Sequence, residues 1–205
     1  MPTPTCGNCG AAVRPPFLAP PAEGAPDLDG RPGEPARSSL HRWVQVCAAC
    51  GAAAPDLSML RPDSVPAEPD PIRRWAAMAG PDARAEAWLW AAWAADDKGD
   101  EASASDARTL AAACWTGPDN DADALRLADV LRRAGDFAGA GAVLGRLTPS
   151  DDQTAAVAGF LRDRVASRDA GRHMLSSALR PPARRPHVSH VQPRRRSLWS
   201  RITGR

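Results

Sequence analysis

The chain has 205 residues, 43% of them hydrophobic, with 26 basic against 24 acidic side chains and a formal net charge of +2. That is enough for one domain of ordinary size with a small module beside it. There is no run of about 18 apolar residues, which excludes a membrane-spanning helix. The opening MPTPTCGNCG also lacks the basic and apolar stretches of a secretion signal, so the expected compartment is the cytoplasm.

The charge is unevenly spread. From Arg180 onward there are eight arginines and no acid, which leaves 18 basic and 24 acidic residues, a net −6, on the rest. Lys98 is the single lysine, a bias that fits a GC-rich genome better than a function. The 21 prolines exceed the usual share of about 5% and are clustered, so part of the chain is expected to stay unpacked.

Residues 1–61 carry Cys-x-x-Cys-Gly twice, as CGNCG from Cys6 and CAACG from Cys47. Each such knuckle sets two thiolates on one side of a tight turn, and two knuckles close a tetrahedral S4 site. The expected ligands are therefore Cys6, Cys9, Cys47 and Cys50, holding one structural zinc ion. Iron in a rubredoxin-like site uses the same ligands, though this segment has few aromatics besides Phe17 and Trp43. A dithiol redox pair needs only one motif, and four free thiols are the bland alternative. The four cysteines fill the site, which leaves His41 as a spare. A closed four-cysteine site is structural, since no coordination position remains for a substrate.

Between the knuckles, residues 11–39 are rich in proline and show no periodicity, so a flexible insertion is expected. LHRWVQVC alternates well enough for a strand delivering Cys47, with Leu40, Arg42, Val44 and Val46 on one face. Residues 62–71 read as a linker with four prolines, which predicts few contacts between the module and a separable helical domain over 72–179.

AEAWLWAAWAAD, with Trp88, Trp90 and Trp93, is apolar almost all round and reads as a central helix. In ALRLADVLRRAGD, Ala124, Leu127, Ala128 and Leu131 form an apolar stripe, and Arg126, Asp129 and Arg133 form a polar one. Phe137, Ala140, Leu144 and Leu147 give a glycine-weakened helix. Ser150 with Gln153 suggests a capping box before a helix that turns Val157, Phe160, Leu161 and Val165 inward. DKGDEASA aligns with RAGDFAGA at an offset of 36, a helix, Gly-Asp turn, helix unit near the tetratricopeptide period. ASRDAGRHMLSSAL is a degenerate third candidate. Residues 180–205 lack a packing stripe and are expected to be disordered.

Other chemistry is sparse. Cys114 reads as a core thiol with no histidine near it in sequence. Asp96 and Asp97 point about 100° apart on a helix and read as a solvated helix end. No phosphate loop, Ser/His/Asp set or histidine-rich cluster occurs, so no enzyme is expected. The arginine tail suits weak, nonspecific contact with nucleic acid phosphates.

WVQVCAACGAAAPDLS, AWLWAAWAADDKGDE and LADVLRRAGDFAGA together resemble a group of uncharacterised bacterial proteins with an N-terminal four-cysteine zinc ribbon followed by tetratricopeptide-like helices. The resemblance covers roughly residues 40–148 and the first knuckle; the proline-rich insertion and the arginine tail depart from it. It implies an architecture and no substrate. The expected fold is mainly α with a small β zinc module, a zinc ribbon joined to antiparallel tetratricopeptide-like helix pairs. The expected function is a non-catalytic adaptor whose helices bind a protein or peptide. The alternative is nucleic-acid binding through ribbon and tail.

Overall fold

The computed structural model describes residues 3–61, 63–115 and 117–179; the arginine tail lies outside them. The fold is mainly helical with one small sheet. A two-stranded antiparallel sheet, β1 (Gln45–Val46) and β2 (Ala53–Ala54), precedes α1 (Pro71–Met78), α2 (Pro81–Asp97), α3 (Glu101–Ala113), α4 (Asp121–Arg133), α5 (Phe137–Arg146), α6 (Asp152–Ala166) and the short α7 (Leu175–Ala178). Among the described residues no helix is long and apolar enough to cross a membrane.

Local chemistry sets the helix starts. Asp70 caps α1, accepting from the Ile72 and Arg73 N–H groups, with Pro71 in the first turn where no donor is missed. Lys98 reaches back to the same carboxylate at 2.7 Å. The cap of α6 is Asp151, which accepts from the Thr154 N–H, rather than the expected Ser150 with Gln153. An aspartate placed one residue later offers the stronger acceptor to the helix N-terminus.

The units α2–α3 and α4–α5 are joined by the same turn. Gly99 and Gly135 adopt φ of +70° and +87°, the left-handed conformation in which glycine carries no Cβ penalty. The Asp100 and Asp136 N–H groups return to the Ala95 and Leu131 carbonyls, closing both helix ends as Schellman motifs. The same two aspartates then cap the next helices, accepting from Ser103 and Gly139. Helices that pack on each other across so tight a turn run antiparallel. The 36-residue offset is thus a repeat of turn chemistry. The third candidate differs: its segment makes an isolated bridge from Met174 to Asp27 and only the four-residue α7.

The stretch expected to be a strand starts inside a 3-10 helix, Arg37–Arg42, and only Gln45–Val46 pairs. Leu40 and Val44 are buried at a helical spacing while Val46 is exposed. Trp43 turns inward, its indole N–H on Ser39 Oγ at 2.8 Å and its ring edge-on to Trp90 with centroids 4.7 Å apart. Trp90 in turn meets Trp75 at 4.6 Å. One hydrophobic cluster runs from Cys6, Leu40, Cys47 and Leu57 through Ile72 and Trp75 to Leu89, Trp93 and Val130. Arg74 adds a polar clamp, donating to the Gly51 carbonyl at 2.7 Å and to that of Glu68. The expectation of few contacts across residues 62–71 fails because module and helices share this core.

The proline-rich insertion is also not loose throughout. Residues 14–16, 18–19 and 21–24 are exposed, but Asp27, Leu28, Asp29 and Arg31 are buried. Asp29, fully buried, receives Arg133 at 2.6 Å, Trp93 Nε1 at 3.0 Å and Arg108 at 3.3 Å. Asp96 is no solvated helix end: its Oδ2 lies 2.5 Å from Arg108 and 2.8 Å from Arg133, while Asp97 pairs with Arg31 at 2.6 Å. The polar stripe of α4 likewise faces inward. Asp129 and Arg132 are both buried and paired at 2.6 Å, and Arg132 also donates to the Asp169 and Gly171 carbonyls. Buried charges survive only when paired and hydrogen-bonded, and α4 faces partners on both sides.

The two buried acids differ. Burial opposes ionisation of Asp29, but Arg133 and Arg108 outweigh it and hold its carboxyl below the usual value. At Asp129 burial wins over Arg132, with the Asp29 charge adding to it, and the carboxyl rises to about 6 from 3.8. Among the described residues Asp129 Oδ2 has no hydrogen-bond partner. Two tests follow from the packing. Trp43→Ala should lower the stability of the helices themselves by roughly 2–3 kcal/mol, less than the ~3–5 kcal/mol of a fully buried tryptophan because Trp43 is only partly buried; an unchanged helical unfolding midpoint in circular dichroism would contradict this. In the window from pH 3.8 to about 6 the folded state keeps a proton on Asp129 that the unfolded state has released, so Asp129 makes stability fall as pH rises. Denaturant titrations across that window should show Asp129→Asn removing this slope; the Asp29 contribution is lost only at lower pH.

Candidate metal centre

The two knuckles are built alike, 41 residues apart. Gly10 N–H returns to the Cys6 carbonyl at 2.7 Å and Gly51 N–H to that of Cys47 at 2.8 Å, both glycines at φ of +75°. Cys6 N–H donates to Ala11 and Cys47 N–H to Ala52, each at 2.8 Å. The bridge Thr5–Ala12 matches the β1–β2 pair Val46–Ala53 in register. Backbone amides of Ala11 and Ala52 point at the sulfurs of Cys9 and Cys50. Sequence repetition has become near-twofold geometry.

The four Sγ atoms gather within 4.8 Å of one another. Cys6 and Cys50 stand 4.0 Å apart, Cys9 and Cys47 3.7 Å. A tetrahedron with metal–sulfur bonds of about 2.3 Å has sulfur–sulfur edges of about 3.8 Å, so these thiols fit a four-coordinate ion such as zinc. Cys6 and Cys47 are buried, Cys50 is half-buried and Cys9 exposed. At Cys50 the Asn8 side-chain amide at 3.5 Å and the Ala52 N–H lower the thiol to about 6. At Cys9 the Ala11 N–H pulls down, but hydrogen bonding with Cys50 and the other thiols, together with desolvation, pushes it up to about 12. One thiolate in so tight a group resists the next, which a divalent cation relieves.

Sequence reasoning brought these four residues together and missed Asn8. Asn8 donates to Cys50 and accepts from the Asp63 N–H at 2.8 Å, so it orients a ligand and ties down the linker. Its position between the cysteines of a knuckle was the available signal. His41 is exposed, hydrogen-bonded to the Ser38 carbonyl, and outside the cluster. Cys114 is half-buried at the end of α3, away from the other thiols. The Asp29 network was missed altogether, because nothing in PDLDGRPG shows which arginines it meets.

No protein-family model, curated protein or solved structure matches this chain. The site therefore has to be read from its own chemistry. Purified protein is expected to carry about one zinc per chain, and Cys47→Ser, which removes a buried ligand, should lose it together with the module's fold. Elemental analysis finding iron, or no metal with four titratable thiols in the native protein, would contradict this.

Proposed function

We propose that this chain is a non-catalytic interaction scaffold, a zinc ribbon joined to tetratricopeptide-like helix pairs that bind a protein or peptide. The observation that carries the reading is the repeated helix–Schellman turn–helix unit, α2–α3 and α4–α5, with α6 stacked beyond it. Such units bury a core only by stacking, and stacking leaves a continuous face for a ligand. Zinc supplies folding free energy to the ribbon and no reaction, since four thiolates leave it no open position. The ribbon fixes one end of the stack through Trp43 and Arg74.

A second reading, nucleic-acid binding, has one favourable observation. A groove of about 1060 Å³ beside the second knuckle is lined by Arg14, Phe17 and Arg42 with no acidic residue. The Arg42 guanidinium lies 4.1 Å from the centre of the Phe17 ring. A thiolate centre of four sulfurs and one Zn²⁺ carries −2 there, which weakens attraction for phosphate.

Affinity capture from the native host, with and without residues 180–205, separates the readings. The scaffold predicts partners retained after tail deletion, while any RNA or DNA binding is weak, sequence-blind and gone by about 200 mM salt through counterion competition. Tight, sequence-selective nucleic-acid binding that persists without the tail would overturn it.

A further inference from the structure

The buried part of the insertion is a tight turn docked on the helices: Gly30 N–H returns to the Asp27 carbonyl and Asp27 N–H to the Arg31 carbonyl, each at 2.9 Å, with Gly30 at φ of +88°. Asp27–Arg31 belongs to no helix or named strand. It bridges antiparallel to Met174, with Leu28 N–H on the His173 carbonyl at 3.0 Å and Leu175 N–H on the Pro26 carbonyl at 2.9 Å. The bridge at Asp27 adds backbone to backbone as a docked peptide does, and the residues after it turn back. Its side chains enter separate places. Leu28 joins the apolar cluster of Leu127, Leu144 and Leu161; Asp29 takes Arg108, Arg133 and Trp93; Arg31 takes Asp97. Arg126 Nε holds the Asp29 carbonyl at 2.8 Å.

The receiving groups do not need Asp29 to stay in position. Arg108 and Arg133 both bind Asp96 Oδ2, at 2.5 and 2.8 Å, so the pair of guanidiniums is preorganised by α2 itself. A cavity of about 440 Å³ lined by Asp96, Arg108 and Arg133 opens beside them. The segment is approached through the exposed residues 21–24 and left through the exposed Glu34 and Pro35. Its ends run back to the two knuckles, so it can leave the helices without leaving the molecule. A buried ion pair is a weak source of stability compared with apolar packing, and its better-attested use is specificity.

From this we infer that Arg108, Arg133 and Trp93 form a carboxylate-recognition site for an acidic peptide that folds into an Asp-Leu-Asp-Gly-Arg turn, and that residues Asp27–Arg31 occupy it as the chain's own competitor. The inference rests on the scaffold reading and names its ligand class. A partner displaying that pattern displaces the strap, with its aspartate on the two arginines and its leucine in the cluster around Leu127. Partner affinity is then set by how often the strap is off.

The test uses the full-length, zinc-loaded chain and a fluorescent peptide of residues 22–34. Binding to Asp29→Ala protein should be at least ~10-fold tighter than to the unaltered chain, because an internal competitor reduces apparent affinity by the fraction of open sites. A peptide with alanine in place of Asp29 should not bind, and Arg133→Ala in the Asp29→Ala background should abolish binding. Native-state hydrogen exchange on the unaltered chain needs no variant: the Leu28 and Leu175 amides should exchange at least ~10-fold faster than that of Val130, through a local opening. Folded Asp29→Ala protein that ignores the peptide, or strap amides exchanging only with the α4 core, would overturn the inference. If partner capture by the helices persists in that case, the strap proposal fails and the scaffold reading stands; if capture fails too, both fall.

Discussion

Closure of the sulfur tetrahedron is the constraint on which the other contacts depend. Cys9 and Cys47 are separated by 37 residues, and a metal ion that holds their sulfurs together turns those residues into a loop with fixed ends. Closing a loop of that length costs the chain entropy once, and every contact made within it is thereafter cheaper to form. The module's core is shared with the helices, and an ion bound by the four thiols would add folding free energy to it. From the fixed ends the loop carries Trp43 into the tryptophan cluster and Asp29 between the helix pairs.

The second theme is where charge sits. This chain buries Asp27, Asp29, Arg31, Arg108, Asp129 and Arg132, an expensive choice in a protein of ordinary size. The cost is offset where acids are shared by several donors, as at Asp29 and Asp96, and less so at Asp129, which has one arginine and a raised pKa. Around Asp29 the arrangement joins α2, α3, α4 and the loop through one carboxylate. An apolar residue there would pack as stably and would tell no partner from another.

Legibility in the sequence followed interaction range. The knuckles were readable because metal chemistry demands a residue type at a fixed local spacing, and the sulfurs converge as that spacing implies. The Gly-Asp turns were readable for the same reason, since both Schellman closures are made within six residues. What failed was long-range. Asp29 and Arg133 are 104 residues apart, and no local pattern in a proline-rich stretch marks an aspartate as buried. The α4 stripe of Arg126, Asp129 and Arg133 gives no local sign of burial, because amphipathic reasoning assumes one buried face, while α4 packs against α3, α5 and α6 and also meets the loop. The separate-domain expectation failed similarly: the prolines of 62–71 describe the linker, and the tryptophans on either side of it decide that the halves pack together.

The central claim is that the metal centre and the helices form one cooperative unit through their shared core. Its most direct test is a denaturant titration of cobalt-substituted protein, following the visible absorption of the cobalt–thiolate centre and the far-ultraviolet helical signal on the same samples. The two curves should superimpose, with one midpoint and one slope, as a two-state unit requires. Loss of the cobalt spectrum at clearly lower denaturant, with the helices left intact, would contradict the account and make the ribbon an independent appendage.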